Sequence, residues 1–120
     1  MTGSKNALKD RLTRYHQIKL SVTGRKSGRS ISIPVWFVSE EENLYLLPVR
    51  GSDTQWYKNV LQKHEIRIDA RGAEAKLHAM PIREAKAVEL VVDKFREKYG
   101  AKDVKKYYSK FDVAVLVKLT

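Results

Sequence analysis

The stretch that decides the fold is residues 18–37, which read IKLSVTGRKSGRSISIPVWF. Apolar and polar residues alternate on both sides of a short basic segment, as they do in half-buried β-strands. The basic segment, residues 24–29, has two glycines, which relieve backbone strain in a turn. The stretch therefore predicts a β-hairpin whose turn carries Arg25, Lys26 and Arg29.

The rest of the chain predicts four more strands and three helices. We expect strands over residues 44–47, 66–70, 73–79 and 111–119, and helices over 5–15, 52–64 and 84–99. Ser52 and Gln55 have capping-box spacing, which predicts that the second helix begins after Ser52. Because the strands cluster in hairpins, the pattern favours a mainly β (α+β) antiparallel barrel or sheet with appended helices over a doubly wound parallel sheet.

Composition limits the kinds of site that the chain can build. Its 120 residues suit one domain, residues 1–120, and its lack of cysteine excludes disulfides and thiolate metal ligands. The three histidines are scattered along the sequence, so we expect no metal site. No apolar run approaches the ~20 residues of a membrane helix, and no secretory signal is recognisable, so we expect a cytoplasmic protein.

Positive charge is concentrated in the first quarter of the chain. Residues 1–30 hold eight basic side chains and one acidic one, a net charge of +7 out of the +10 of the whole chain. Such a concentration points to an anionic partner, such as a phosphorylated cofactor, a nucleic acid or an acidic membrane, although a basic surface also aids solubility. Residues 24–29 could form a backbone anion site, or they could be an ordinary solvated hairpin turn.

Five segments in order resemble the deazaflavin-dependent nitroreductase family. They are residues 22–29, 33–38, 44–47, 50–52 and 56–59, and the likeness is strongest over residues 20–70. The resemblance implies a six-stranded antiparallel split β-barrel with about three helices, close to that of FMN-binding pyridoxamine-phosphate-oxidase-like proteins. It also implies coenzyme F420 and an F420H2-dependent reductase that transfers a hydride to a small quinone, enone or nitro compound.

The resemblance also implies a set of cofactor-binding residues. The phosphate and acidic tail would lie against Arg25, Lys26, Ser27, Arg29 and Arg50, and the ring beside Pro34, Val35, Trp36, Trp56 and Asn59. The two tryptophans could equally be packing residues, and Asn59 could bond a loop carbonyl. Trp36 lies on the strand face opposite Val35, so it need not belong to the same core. Relatives often have a glycine where this chain has Ser52 and Asp53, which places an acid near the anion site.

Two tyrosines near the last strand are the candidate catalytic residues. Tyr107 and Tyr108 resemble the substrate-side tyrosines of the family, but the lysines around them also suit a solvated surface. A hydride transfer needs no catalytic triad or carboxylate pair, since the cofactor carries the chemistry.

Alternative functions remain open at this level. Related split barrels bind FMN, typically at a homodimer interface. A small β-barrel could also bind nucleic acid through the basic turn and Tyr15, Trp36 and Tyr45, but the sequence has no recognisable nucleic-acid-binding signature. A protein that binds F420 without turning over a substrate is a third alternative. We therefore expect a small-molecule substrate, no nucleic acid, no transmembrane segment, and a monomer or homodimer.

Overall fold

Six antiparallel strands form a closed barrel in the computed structural model, which describes residues 3–119. Around the barrel the strands follow the order β1-β2-β3-β6-β5-β4, and β4 pairs with β1 to close it. Their bounds are β1 Gln17–Thr23, β2 Ser30–Glu40, β3 Asn43–Leu46, β4 Glu65–Ala70, β5 Ala73–Ile82 and β6 Ala114–Lys118. The predicted six-stranded antiparallel barrel is confirmed.

Four α-helices accompany the strands within residues 3–119, one more than the sequence predicts. They are α1 Gly3–Arg14, α2 Gln55–Gln62, α3 Ala85–Tyr99 and α4 Ala101–Tyr107, and a 3-10 turn at Gly51–Asp53 precedes α2. The additional helix is α4, which Gly100 separates from α3 with a φ of +94°, a value that favours glycine.

The predicted capping box at the start of the second helix is wrong. The N-cap of α2 is Thr54, and no side chain caps the helix. Ser52 instead bonds Asp112, since its N–H and its hydroxyl donate to the two carboxylate oxygens at 2.9 and 2.5 Å. Ser52 therefore bonds a residue sixty positions away, and the expected capping box with Gln55 is not formed.

Two hydrophobic clusters lie on opposite faces of β2. The first fills the barrel and contains Phe37 together with the inward residues of β1. The second lies outside it, where α3 and α4 cover Val38, and Trp36 packs against this outer cluster. The expectation that Trp36 and Val35 face different cores is therefore confirmed, because alternate side chains of a strand point to opposite faces.

β2 changes partner along its length, and Tyr99 bonds the backbone at that point. Residues 30–36 pair with β1, and residues 37–40 pair with β3. The Tyr99 hydroxyl accepts from the Phe37 N–H at 3.1 Å, and it lies 2.7 Å from the carbonyl oxygens of both Phe37 and His16. It thus satisfies backbone groups where the β1–β2 ladder ends.

We expect Tyr57→Phe to raise the free energy of unfolding by about 1 kcal/mol, because a buried hydroxyl without a partner costs stability. Tyr57 is buried in the barrel core, and its hydroxyl has no hydrogen-bond partner among the described residues. Urea unfolding measures the effect. Tyr99→Phe is the matched control and should lose stability, since its hydroxyl is fully bonded. A loss of 1 kcal/mol or more in the Tyr57 variant would contradict the expectation.

Candidate functional site

A groove runs between β2 and α2, where the barrel wall is incompletely covered. The inward side chains of β1 are buried, with Leu20 fully so, whereas Ile31 of β2 is 41% exposed and Ile33 and Val35 are partly exposed. Two cavities lie along this β2–α2 groove, one at the predicted turn and one at the predicted ring site. The structure thus places most of the predicted cofactor residues along one groove.

The first cavity, which we call the aromatic cavity, has a volume of about 390 Å³. Six residues that the sequence singled out line it, namely Pro34, Val35, Trp36, Trp56, Tyr107 and Tyr108. The sequence reasoning missed four others, Gln17, Ile33, Leu47 and Val49. Its size and mostly apolar lining are typical of a site for a small organic molecule.

The second cavity, the basic cavity, has a volume of about 350 Å³ and lies at the hairpin turn. Its lining comprises Gly24, Arg25, Lys26, Ser27, Ile31, Gln55 and Asn59. Ile31 of this cavity and Ile33 of the aromatic cavity are two residues apart on one face of β2, a separation of about 7 Å. Gln55 of the basic cavity and Trp56 of the aromatic cavity are consecutive residues of α2. The two cavities therefore follow one another along the groove.

Arg25 and Asn59 bond each other, although Arg25 remains exposed. The Asn59 side-chain oxygen accepts from the Arg25 backbone N–H at 3.0 Å and from its guanidinium at 2.8 Å. The guanidinium also donates to the side-chain oxygen of Gln55 at 2.8 Å. Asn59 is buried, so these bonds fasten the turn to α2. Arg25 and Asn59 therefore hold the wall of the basic cavity in place.

The rest of the turn leaves donors available for an anion. Gly24 N–H donates to the Arg29 carbonyl at 2.8 Å, and Arg29 N–H donates to the Ser27 hydroxyl oxygen at 3.1 Å. Within residues 3–119, the backbone N–H groups of Lys26 and Ser27 have no such partner, and the Lys26 and Arg29 side chains form no salt bridge. Two amide donors and the Lys26 side chain thus remain at the basic cavity, whereas Arg29 belongs to the turn but does not line the cavity.

Arg50 lies outside both cavities, and the acid near it is neutralised. Arg50 is exposed in the loop after β3, and its backbone forms a parallel bridge with Lys110. The Lys110 ammonium lies 3.2 Å from Asp53 and 3.7 Å from Asp112. These carboxylates, Asp53 first through its hydrogen bond, raise the pKa of Lys110 above its usual value. Asp53, the acid that departs from the pattern of the family that the sequence resembles, is thus paired with Lys110, and sequence reasoning missed this pair.

Trp36 is held in a stack of aromatic rings. Its ring lies parallel to that of Tyr99, with centroids 4.2 Å apart and an interplanar angle of 9°. Tyr107 meets it edge-on at 5.5 Å, and Tyr108 is tilted at 6.0 Å. Tyr99 was not among the predicted residues, because it lies 63 positions away at the end of α3. The stack fixes the wall of the aromatic cavity on the α3 and α4 side.

The two candidate catalytic tyrosines differ in exposure. Tyr107, the last residue of α4, is 54% exposed, whereas Tyr108 is buried. Burial raises the pKa of Tyr108 above that of free tyrosine and raises the pKa of Tyr99 to about 12. Both phenols therefore keep their proton at neutral pH, and Tyr108 brings a donor to the cavity wall.

Lys98 predicts a pH dependence of stability. Burial lowers its pKa to about 8, and its ammonium donates to the Phe37 carbonyl at 2.7 Å. Between pH 8 and the unfolded value of about 10.4 the unfolded chain binds more protons, so stability rises with pH through this window. We expect the urea midpoint to rise from pH 7 to 9.5, and Lys98→Met to remove the rise.

Lys94→Met is the control for this measurement, because Lys94 lies on the same helix and pairs with Glu40 at 2.7 Å. Glu40, chiefly through its hydrogen bond, raises the pKa of Lys94. The rise should therefore persist in that variant. An equal rise in the Lys98 variant would show that another group is responsible.

His64 and His78 pack edge to face with ring centroids 5.5 Å apart, but residues 3–119 hold no group of three His, Cys, Asp or Glu side chains suited to a metal ion. None of the described helices combines the length and the apolar character needed to span a bilayer.

Comparison with solved structures finds the same barrel in proteins of differing names. An F420-H2-dependent reductase, FDR-A, is 18% identical with a TM-score of 0.67, and the match covers 86% of this chain and 94% of the reductase chain. The haem storage protein HutZ from Vibrio cholerae is 14% identical with a TM-score of 0.69, covering 94% and 87%. A NimC/NimA family protein from Clostridium acetobutylicum is 18% identical with a TM-score of 0.67, covering 98% and 80%. These likenesses establish the fold.

Comparison by sequence gives a family model. The model described as "Uncharacterized protein conserved in bacteria (DUF2255)" matches residues 9–118. No curated protein sequence matches the chain.

Proposed function

Since the chain belongs to the DUF2255 family and folds as a split β-barrel, we propose that it is an oxidoreductase that binds a phosphorylated flavin-type cofactor, with F420 preferred over FMN. Residues 1–120 would form one cofactor-binding domain. The substrate would be a small organic acceptor such as a quinone, enone or nitro compound.

One observation carries the proposal, namely that the β2–α2 groove is cationic at one end and aromatic at the other. Lys26 and two backbone N–H groups lie at the basic cavity, with Arg29 in the same turn but outside the cavity lining, and Trp36, Trp56 and Tyr108 lie at the far end. A cofactor with a planar ring and a phosphorylated chain needs these two surfaces at a fixed separation. From residue 31 to residue 36, β2 spans about 16 Å, enough for a ring and a sugar-alcohol linker.

The groups at the turn fit a phosphate. Lys26 and Ser27 would donate backbone N–H bonds, and Lys26 and Arg29 would supply charge, with Arg29 able to bond two oxygens at once. Arg25 and Asn59 would act mainly by holding the turn against α2. Arg50 lines neither cavity, so the groove assigns it no contact with the phosphate, and the preference for F420 over FMN follows the family that residues 22–59 resemble.

The aromatic cavity fits a flat ring. Pro34 and Val35 would border one edge of the ring, while Trp36 and Trp56 would supply flat apolar surfaces. When bound in reduced form, such a cofactor supplies a hydride, which together with a proton reduces the acceptor by two electrons. Tyr107 and Tyr108 would orient the acceptor, and the protonated Tyr108 would provide or relay that proton.

A binding screen tests the proposal. The purified chain is titrated with F420, FMN, FAD and haem, and each bound cofactor is then reduced and offered a quinone and an enone. We expect micromolar or tighter binding of F420, weaker binding of FMN, and transfer to at least one acceptor. Haem binding alone would contradict the proposal, as would binding of none of the four. F420 binding without transfer to any acceptor would make the protein a carrier instead.

A further inference from the structure

A third cavity, of about 380 Å³, adjoins the aromatic cavity on the outer face of the barrel. The two share Gln17, Ile33 and Pro34, so one molecule could occupy both. The remaining lining residues are Ile18, Lys19, Ser32, Asp69, Arg71 and Gly72. We call this space the Arg71 cavity. None of the cofactor residues described above other than Pro34 belongs to it.

Arg71 has a backbone conformation that its position does not favour. It and Gly72 form the two-residue connection between β4 and β5, with φ values of +56° and +95°. Two successive positive φ values define a type I′ hairpin turn, whose first position favours Asn, Asp or Gly. A residue held in a strained conformation next to a cavity suggests a role for its side chain.

Contacts on both sides hold Arg71 in place. Its guanidinium carbon lies 4.6 Å from the centroid of the Tyr15 ring, and its carbonyl oxygen accepts from the Arg11 guanidinium at 2.8 Å. Among the residues that the structure describes, no carboxylate forms a salt bridge with the Arg71 guanidinium. The Tyr15 ring thus positions the Arg71 guanidinium, whose charge no described carboxylate neutralises.

The other charges of the Arg71 cavity cancel each other. Lys19 lies 3.6 Å from one carboxylate oxygen of Asp69, and the other oxygen accepts from the Gly72 N–H at 2.8 Å. Asp69 is therefore engaged within its own turn and with Lys19. The net charge of the lining side chains is +1, and Arg71 carries it.

We propose that the Arg71 cavity binds the carboxylate of the electron-accepting substrate while the reducible end of that substrate lies in the aromatic cavity. This inference rests on the proposed function, since it names the substrate class as small acceptors that bear a carboxylate. Arg71 supplies a planar pair of donors suited to a carboxylate, and Gln17, at the boundary of the two cavities, contacts the middle of the molecule.

Binding of two probes of equal size tests the inference without any cofactor. The probes are 4-nitrobenzoate and 4-nitrobenzyl alcohol, whose affinities for the chain are measured by equilibrium dialysis and by amide shifts of Gln17 and Gly72. We expect the wild-type chain to prefer the carboxylate about tenfold, the size of one charge-assisted contact at an exposed site. Arg71→Asn should reduce the preference to about one, because Asn suits the turn but carries no charge.

Arg67→Gln is the matched control, because Arg67 lies on β4 outside the Arg71 cavity and its loss changes the net charge equally. It should leave the tenfold preference in place, and Arg71→Lys should retain part of it. An equal preference in the wild-type and Arg71→Asn chains would overturn the inference, as would an equal loss in the Arg67 variant.

The same probes separate failure of the inference from failure of the proposed function. With F420H2 supplied, the nitro group takes up a hydride and a proton and becomes a nitroso group and water. Reduction of both probes without the Arg71-dependent preference would leave the oxidoreductase proposal standing and refute the subsite. The Arg71-dependent preference in a chain that binds no cofactor would refute the oxidoreductase proposal and leave only an anion site.

Discussion

Replacing Lys26 and Arg29 together by alanine is expected to weaken F420 binding about a hundredfold. Each side chain would contribute a charge-assisted contact to the phosphate or the tail, worth roughly 1.5 kcal/mol, and a tenfold change corresponds to about 1.4 kcal/mol. Neither side chain forms a salt bridge within the described residues, so the free energy of unfolding should hardly change. Titration of F420 fluorescence measures the affinity, and urea unfolding measures the stability.

The matched control removes the same charge elsewhere. Arg83 and Lys86 are exposed near the start of α3, outside both cavities of the groove, and their replacement by alanine also lowers the net charge by two. This variant should bind F420 almost as the wild type does. Similar weakening in the two variants would mean that only the overall charge attracts the cofactor.

Trp36→Ala is expected to have the second large effect, on binding and on stability together. Trp36 lines the aromatic cavity, and its ring also stacks on Tyr99 and contacts Tyr108. Complete truncation of a buried tryptophan costs about 3–5 kcal/mol, and this half-buried one should cost about 2–3. The cofactor should bind at least tenfold more weakly, because the cavity loses a wall.

Trp36→Phe separates these two contributions. Phenylalanine keeps an aromatic face against Tyr99, so most of the stability should return, while the smaller face should restore the affinity only in part. Urea unfolding and F420 titration are performed on both variants under conditions where each is folded. A Trp36→Ala chain that is destabilised yet binds F420 normally would remove Trp36 from the site and leave it a packing residue.

The sequence was sufficient for the barrel because its signals are local. Alternation in residues 18–37 and the glycine turn are visible within one window, and the alternation also places Trp36 and Val35 on opposite faces. The same alternation therefore gives the two clusters, one inside the barrel and one beneath α3 and α4. The concentration of charge in residues 1–30 likewise indicated the turn that lines the basic cavity.

The parts that sequence reasoning missed depend on distant contacts. Tyr99 and Trp36 are neighbours only because α3 crosses β2, and nothing within the last turn of α3 marks Tyr99 as a partner. Ser52 has good capping chemistry, yet it lies within the 3-10 turn Gly51–Asp53 and bonds Asp112, and Thr54 is the N-cap of α2. Arg25 resembles its neighbours in the turn, but only the position of α2 shows that Asn59 and Gln55 engage it.

The helix α4 was missed for a different reason. Its seven residues are too few for a clear apolar periodicity, and only Val104 of the helix is buried. Isolated helices of this length are unstable in water, so α4 depends on the packing of Val104 in the outer cluster. Its position matters for the site, because it places Tyr107 and Tyr108 at the wall of the aromatic cavity.

A crystal structure of the chain with oxidised F420 tests most directly whether the β2–α2 groove is the redox site. Our account predicts phosphate density within hydrogen-bond distance of the Lys26 and Ser27 amides, and a ring lying beside Val35 and Trp36. A ring bound elsewhere on the barrel, with the groove closed by its own side chains, would contradict it.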